Sequence, residues 1–217
     1  MGNVLEMKGA GCRRGRRAGW LLEGIDLAVA AGERTAVFGT SGAGKTALAE
    51  LAAGLRRPER GTVERSGAIS LVTQEFSWYR DLTVAENLEF CRLIQADDGT
   101  RLPLILAATG LAGWEKTRAA ALPAALRPML QIACALLGDP DLLILDEPTQ
   151  SLDQPLRGKL AAILDQWALA GTTVLICTSD ADLAARCATV YHLKGGRLSK
   201  LAAAGSPTGI TAGEAAP

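Results

Sequence analysis

The run Gly39-Thr40-Ser41-Gly42-Ala43-Gly44-Lys45-Thr46 carries a complete G-x-x-x-x-G-K-[ST] pattern. Such a run binds phosphate because backbone N–H groups in a glycine-rich bend converge with the positive end of a helix on the anion. Its flanks suit that role. Apolar Thr35-Ala36-Val37-Phe38 precedes it, and Ala47-Leu48-Ala49-Glu50-Leu51-Ala52-Ala53 follows as a helix-like run. Gly39, Gly42 and Gly44 are expected to let the backbone close on a nucleotide without Cβ clashes. Lys45 would bring a point charge to the β- and γ-phosphates of ATP, and Thr46 a hydroxyl to Mg²⁺. The plainer alternative is a chance glycine turn; the strand before it and the helix after it argue against that.

A second segment complements the first. Asp141-Leu142-Leu143-Ile144-Leu145-Asp146 is a short apolar run ending in a carboxylate, as a fully buried parallel strand would be. Beside the phosphate loop, such a strand places Asp146 next to Mg²⁺. Glu147 follows at once, positioned to act as general base or to orient the attacking water. Alone, Asp-Glu-Pro is only a strand-ending turn. Here two mutually dependent halves of one ATP site occur together.

The segment Ala135-Leu136-Leu137-Gly138-Asp139-Pro140 through Asp146-Glu147-Pro148-Thr149 closely resembles the ATP-binding subunits of ABC transporters, and the likeness continues through Ser151-Leu152-Asp153, the counterpart of the D-loop. Upstream, Gly54-Leu55-Arg56-Arg57-Pro58-Glu59-Arg60-Gly61-Thr62-Val63 follows the phosphate-loop helix as in that family. Gln74 stands where the family's Q-loop glutamine lies, which implies a contact to Mg²⁺ and water that also senses the membrane partner. The resemblance covers roughly residues 4 to 200. It implies an α/β P-loop NTPase of the ABC ATPase type: a central, mostly parallel sheet, N-terminal antiparallel strands and an inserted helical subdomain.

Three departures bear on mechanism. Where the family reads Leu-Ser-Gly-Gly-Gln, this chain has Leu122-Pro123-Ala124-Ala125-Leu126. The serine that would reach a partner's γ-phosphate is Pro123, and losing a hydrogen bond to a charged group costs about 1.5–3 kcal/mol. A helix N-terminus can still offer its dipole there, worth under ~2 kcal/mol. Ser179-Asp180 stands in place of His-Asp, so a hydroxyl replaces a switchable imidazole. Losing one positioned transition-state donor typically costs about 10²–10³ in rate. The single histidine, His192, lies in a later strand-like run and reads as an ordinary strand residue. Finally, the adenine-stacking aromatic is missing from residues 12 to 18, leaving Arg14 to stack on the base or Trp20 to swing in.

The elements that must position these groups follow from local signals. Residues 1 to about 35 read as short antiparallel strands, with Gly24-Ile25-Asp26-Leu27-Ala28-Val29 alternating. Residues 35 to 75 hold the phosphate-loop unit and the strand Ala68-Ile69-Ser70-Leu71-Val72. Residues of about 76 to 136 form the helical insertion, in which Thr83 and Glu86 make a capping-box pattern. Asp153 can cap a helix that sets Leu156, Leu160, Ile163 and Trp167 on one face and stops at Gly171. The tail, 201–217, is expected to be mobile.

With 217 residues, the chain can bury one sizeable core. Its 23 basic and 23 acidic residues balance, so the arginine run near residue 14 reads as a solvated loop by the phosphates and not as a nucleic-acid surface. No apolar stretch approaches the ~20 residues of a membrane span. The five scattered cysteines read as reduced packing residues of a cytoplasmic protein.

Phe76, Trp78 and Tyr79 cluster just after Gln74, either to receive a helix of a membrane-spanning subunit or to pack the insertion's own core. The resemblance implies an ATP- and Mg²⁺-dependent ATPase, peripheral on the cytoplasmic face of the inner (plasma) membrane. It would pair with a second ABC ATPase subunit and power transport through separate membrane subunits. Tyr79 to Phe90 looks most like exporters. A heterodimer is expected over a homodimer, because an ordinary partner would separate the Pro123 and Ser179 defects between two sites. The alternative is a slow or inactive regulatory subunit for which ATP acts as a clamp. Soluble ABC proteins of DNA repair or translation fit less well, since those usually carry coiled coils or two cassettes.

Overall fold

The computed structural model describes residues 2–15, 19–75, 77–150, 152–169 and 171–201. Alternating burial shapes its N-terminal layer. β1 (Asn3–Arg13) and β2 (Trp20–Ala30) pair antiparallel, and β4 (Arg60–Arg65) adds to the other side of β1.

The central sheet has the order β5-β6-β7-β3-β8-β9. Its strands are β3 (Arg34–Phe38), β5 (Ile69–Val72), β6 (Leu142–Asp146), β7 (Thr173–Thr178), β8 (Thr189–Lys194) and β9 (Arg197–Lys200). All neighbours run parallel except β8 and β9. β6 and β7 are buried along their whole length, which explains their unbroken apolar runs.

Successive side chains on β6 face opposite layers. Leu142 and Ile144 join Leu5, Leu22 and Ile25 of the antiparallel sheet and Leu48 and Leu51 of helix α1 (Lys45–Ala53) in one core cluster. Leu143 and Leu145 join a second cluster with the helices on the other face.

Those helices are α2 (Val84–Ile94), α3 (Leu102–Thr109), α4 (Arg127–Leu136), α5 (Gln154–Leu169) and the short α6 (Ala181–Ala185). Between β5 and β6 the described chain is helical, with 3₁₀ turns at Ala119–Ala121 and Ala124–Leu126. The capping box at α2 is formed: the Thr83 hydroxyl accepts from the Glu86 N–H, and Glu86 accepts from the Thr83 N–H. Those hydrogen bonds hold the Glu86 carboxyl below its ordinary range. Asp153 accepts from the Leu156 N–H at the start of α5, and Leu156, Leu160, Ile163 and Trp167 face the core as the spacing predicts. Beyond the helix, Gly171 takes a positive φ of 90°.

Phe76, Ser151, the arginines at 16 and 17, and tail residues 202–217 lie outside the described residues. No helix among those described is long and apolar enough to cross a membrane.

Candidate functional site

Strand order assembles the site. β7 lies between β6 and β3, with Asp146 opposite Cys177 and Phe38 opposite Thr178. The carboxyl ends of the three strands therefore deliver the phosphate loop, the Asp146-Glu147 pair and Ser179 to one edge, where open α/β sheets bind ligands. Two backbone bonds tie these ends together. Gly39 N–H donates to Thr178 O (3.1 Å), and Glu147 N–H donates to Cys177 O (2.8 Å).

A cleft of about 410 Å³ opens there. Its floor is Ser41, Gly42, Gly44, Lys45 and Thr46; Gln74, Glu147 and Ser179 line one side, and Arg14 another. Most candidates are thus gathered in one place; Gly39, Thr40, Ala43 and the buried Asp146 do not line the cleft.

Lys45 is buried and fully engaged. Its Nζ donates to Gly39 O and Thr40 O, both at 2.7 Å, and pairs with Glu147 Oε1 at 3.0 Å. The other Glu147 oxygen, Oε2, accepts from the Ser179 N–H (3.0 Å) and from Ser179 Oγ–H (3.1 Å). Glu147 also has φ of 50°, a left-handed conformation that costs a non-glycine residue about 1–3 kcal/mol. The surrounding bonds hold the carboxylate there.

Asp146 is 2% exposed, and neither carboxylate oxygen has a hydrogen-bond partner among the described residues. Burial pushes its carboxyl above the ordinary range, while Thr46 and Lys45 pull it back. A buried, unpartnered carboxylate beside a threonine at a phosphate loop fits Mg²⁺, which binds through one or two carboxylates plus phosphates and waters.

Two of the three loop glycines are also required by the chain itself. A Cβ on Gly39 would meet Leu193 O at 2.6 Å, and one on Gly44 would meet Leu22 Cδ2 at 2.9 Å. Both are close to the chain itself. Gly42, at φ 79°, lines the cleft with no protein atom near the place a Cβ would take.

Trp20 does not line the cleft. The guanidinium carbons of Arg13 and Arg60 lie 4.8 Å and 4.7 Å from its ring centre, while Arg14 does line the cleft. His192 is a β8 residue stacked on Phe38 at 5.8 Å. The cysteines are free thiols, and burial pushes Cys187 up to about 12 and Cys177 well above its ordinary value.

Pro123 and Ala124 are exposed on the approach to α4, whose N-cap, Leu126, offers no side-chain bond. The aromatic cluster divides. Trp78 is half-buried against the helical core, and Tyr79 is 51% exposed and meets Phe90 edge-on at 4.8 Å.

Five cleft residues were not anticipated as such: Leu21, Ala47, Glu50, Arg56 and Gln150. Arg56 Nε donates to Glu50 Oε2 at 2.8 Å, closing the helix side of the cleft. Gln150 could have been found, since it directly follows Pro148-Thr149 in the same motif.

The ABC transporter family model matches residues 22–150. The chain belongs to that family. The lipoprotein-releasing system ATP-binding protein LolD of Chromohalobacter salexigens is 33% identical over 210 residues, covering 87% of this chain and 89% of that protein. The probable multidrug ABC transporter ATP-binding protein YbhF of Escherichia coli is 32% identical over 190 residues, covering 80% of this chain but only 33% of that longer protein. In shape, this ABC cassette is similar to a dimeric post-hydrolysis state of the ATP-binding cassette MJ0796 bound to ADP and Pi. The TM-score is 0.80 at 23% identity, covering 91% of this chain and 99% of that one. This cassette is therefore an ABC transporter ATP-binding subunit, of a family that binds ATP with Mg²⁺, dimerises and works with membrane subunits.

Proposed function

We propose that this cassette binds Mg-ATP in its own cleft and hydrolyses it there. In this reading the loop from Gly39 to Thr46 cradles the phosphates, with Lys45 as the cation. Thr46, Asp146 and Gln74 serve Mg²⁺. Glu147 is the general base, and Arg14 faces the nucleobase. The observation that carries the reading is the pair of Ser179 donors on Glu147 Oε2. They hold the base where the family's histidine is absent.

Losing a general base outright costs about 10²–10⁴-fold. Ser179→Ala keeps the backbone N–H, so kcat of the complex purified with its native partners is expected to fall only about 10-fold, with KM for ATP within about twofold. An unchanged kcat would remove Ser179 from the mechanism.

The second reading, ATP as a clamp in a regulatory subunit, is favoured by Pro123-Ala124-Ala125 on the unaided approach to α4. A homodimer would carry both defects at each site, so pairing with an ordinary cassette is proposed. Rapid turnover by the isolated chain as a homodimer would overturn that pairing.

The location proposed is the cytoplasmic face of the plasma membrane, on a membrane subunit, and export is the direction proposed. The exposed contact is Tyr79 with Phe90, while Trp78 also supports the core. Tyr79→Ala is expected to weaken capture of the membrane subunit about 10-fold or more, as aromatic anchors do, and to leave ATP binding intact. A pull-down that retains the subunit at wild-type level would sink the docking site.

A further inference from the structure

Within the buried run of α4, Met129 to Ala133, one side chain is polar. Gln131 is 6% exposed, and its Nε2 donates to two carbonyls, Thr73 O at 3.1 Å and Glu75 O at 2.9 Å. An uncharged amide NH₂ carries two donors, so it can face both carbonyls without burying a charge. The Thr73 hydroxyl donates to the same Glu75 O at 2.9 Å, closing the turn across the residue between them. That residue is Gln74.

The turn hangs on β5, whose last residue, Val72, lies opposite Leu145. Gln74 therefore stands two residues past one strand end, beside the strand end that carries Asp146. Thr73 is half-buried and Glu75 exposed, so water could satisfy at least the Glu75 carbonyl unaided. Burial alone would also have been met by an apolar residue. What the bonds add is position.

We propose that Gln131 is a positioning residue: it pins the Thr73–Glu75 turn to α4 and so sets where Gln74 stands relative to Asp146 and Thr46. The proposal rests on the reading above in which Gln74 serves Mg²⁺. α4 and Gln74 then move as one body, and a displacement of the helix that follows Pro123-Ala124-Ala125 is felt at the metal.

The test uses Gln131→Met, which keeps the volume and removes both donors, with Gln74→Ala and the double variant. In the complex with its native partners, Gln131→Met should raise the half-saturating Mg²⁺ concentration for hydrolysis about 3- to 10-fold and leave KM for ATP within about twofold. Gln74→Ala should give a similar shift, and the double variant no further one. In the nucleotide-free full chain, amide exchange should quicken in a peptide spanning residues 73 to 75 and stay unchanged along α5. An unchanged Mg²⁺ requirement, or shifts that add, would overturn the proposal. If wild-type complex does not hydrolyse ATP, the exchange arm decides: faster exchange at the turn supports the pin and shows that the hydrolysis reading failed, and unchanged exchange overturns the pin.

Discussion

Glu147→Gln is expected to lower Mg-ATP turnover of the complex with its native partners by about 10³-fold while nucleotide binding survives. The substitution also removes the counter-charge of buried Lys45, so the nucleotide-free chain is expected to lose some stability, while bound phosphates would resupply that charge. An amide still offers an oxygen to Lys45 or to the two Ser179 donors, so the local packing keeps most of its bonds. It cannot accept a proton from the attacking water. The left-handed φ of 50° is set by the bond from Glu147 N–H to Cys177 O and by the strand junction, neither of which the substitution touches. Loss of turnover would assign the chemistry to this chain's own cleft. Unchanged turnover would assign it to the partner cassette, with this chain binding ATP to hold the dimer closed. Measuring binding of a fluorescent ATP analogue beside the rate keeps the two apart, because a folding defect would lower both.

The parts of the site that could be read from sequence are those whose physics is local. The phosphate loop, the Asp146-Glu147 strand end and the Thr83–Glu86 box each work within a few residues, so spacing alone announces them. The burial of β6 followed too, because a fully apolar run such as Leu142 to Leu145 has nowhere to sit but the middle of a covered sheet; that β7 lies between it and β3 did not. Contacts that depend on distant register stayed hidden. Trp20 stays out of the cleft beside Arg60, which approaches its ring from a strand on the other side of β1. The requirement for Gly39 comes from Leu193 O on β8. Gln131 reaches a turn 58 residues away in sequence, and in α4 its spacing looks like any other core position. Ser179 is intermediate: its place after β7 was legible, but that both its donors fall on one Glu147 oxygen was not.

Lys45→Met is expected to cost more than nucleotide binding. Lys45 and Glu147 form an ion pair with side chains only 5% and 6% exposed, and removing one partner leaves a buried charge without its counter-charge. Breaking a buried pair typically costs about 3–5 kcal/mol. The two Ser179 donors still serve Glu147, so the low end, about 3 kcal/mol, is expected in urea unfolding of the nucleotide-free chain. Affinity for an ATP analogue should fall about 100-fold or more if Lys45 is, as proposed, the cation for the β- and γ-phosphates. The double variant Lys45→Met with Glu147→Gln distinguishes the two effects. With neither member of the pair left to strand the other, it should recover most of the lost stability. It should recover none of the affinity, because a neutral amide in place of the carboxylate supplies no cation. If binding returns along with stability, Lys45 acts as a prop for the loop through Gly39 O and Thr40 O, and the phosphates are held by backbone N–H groups alone.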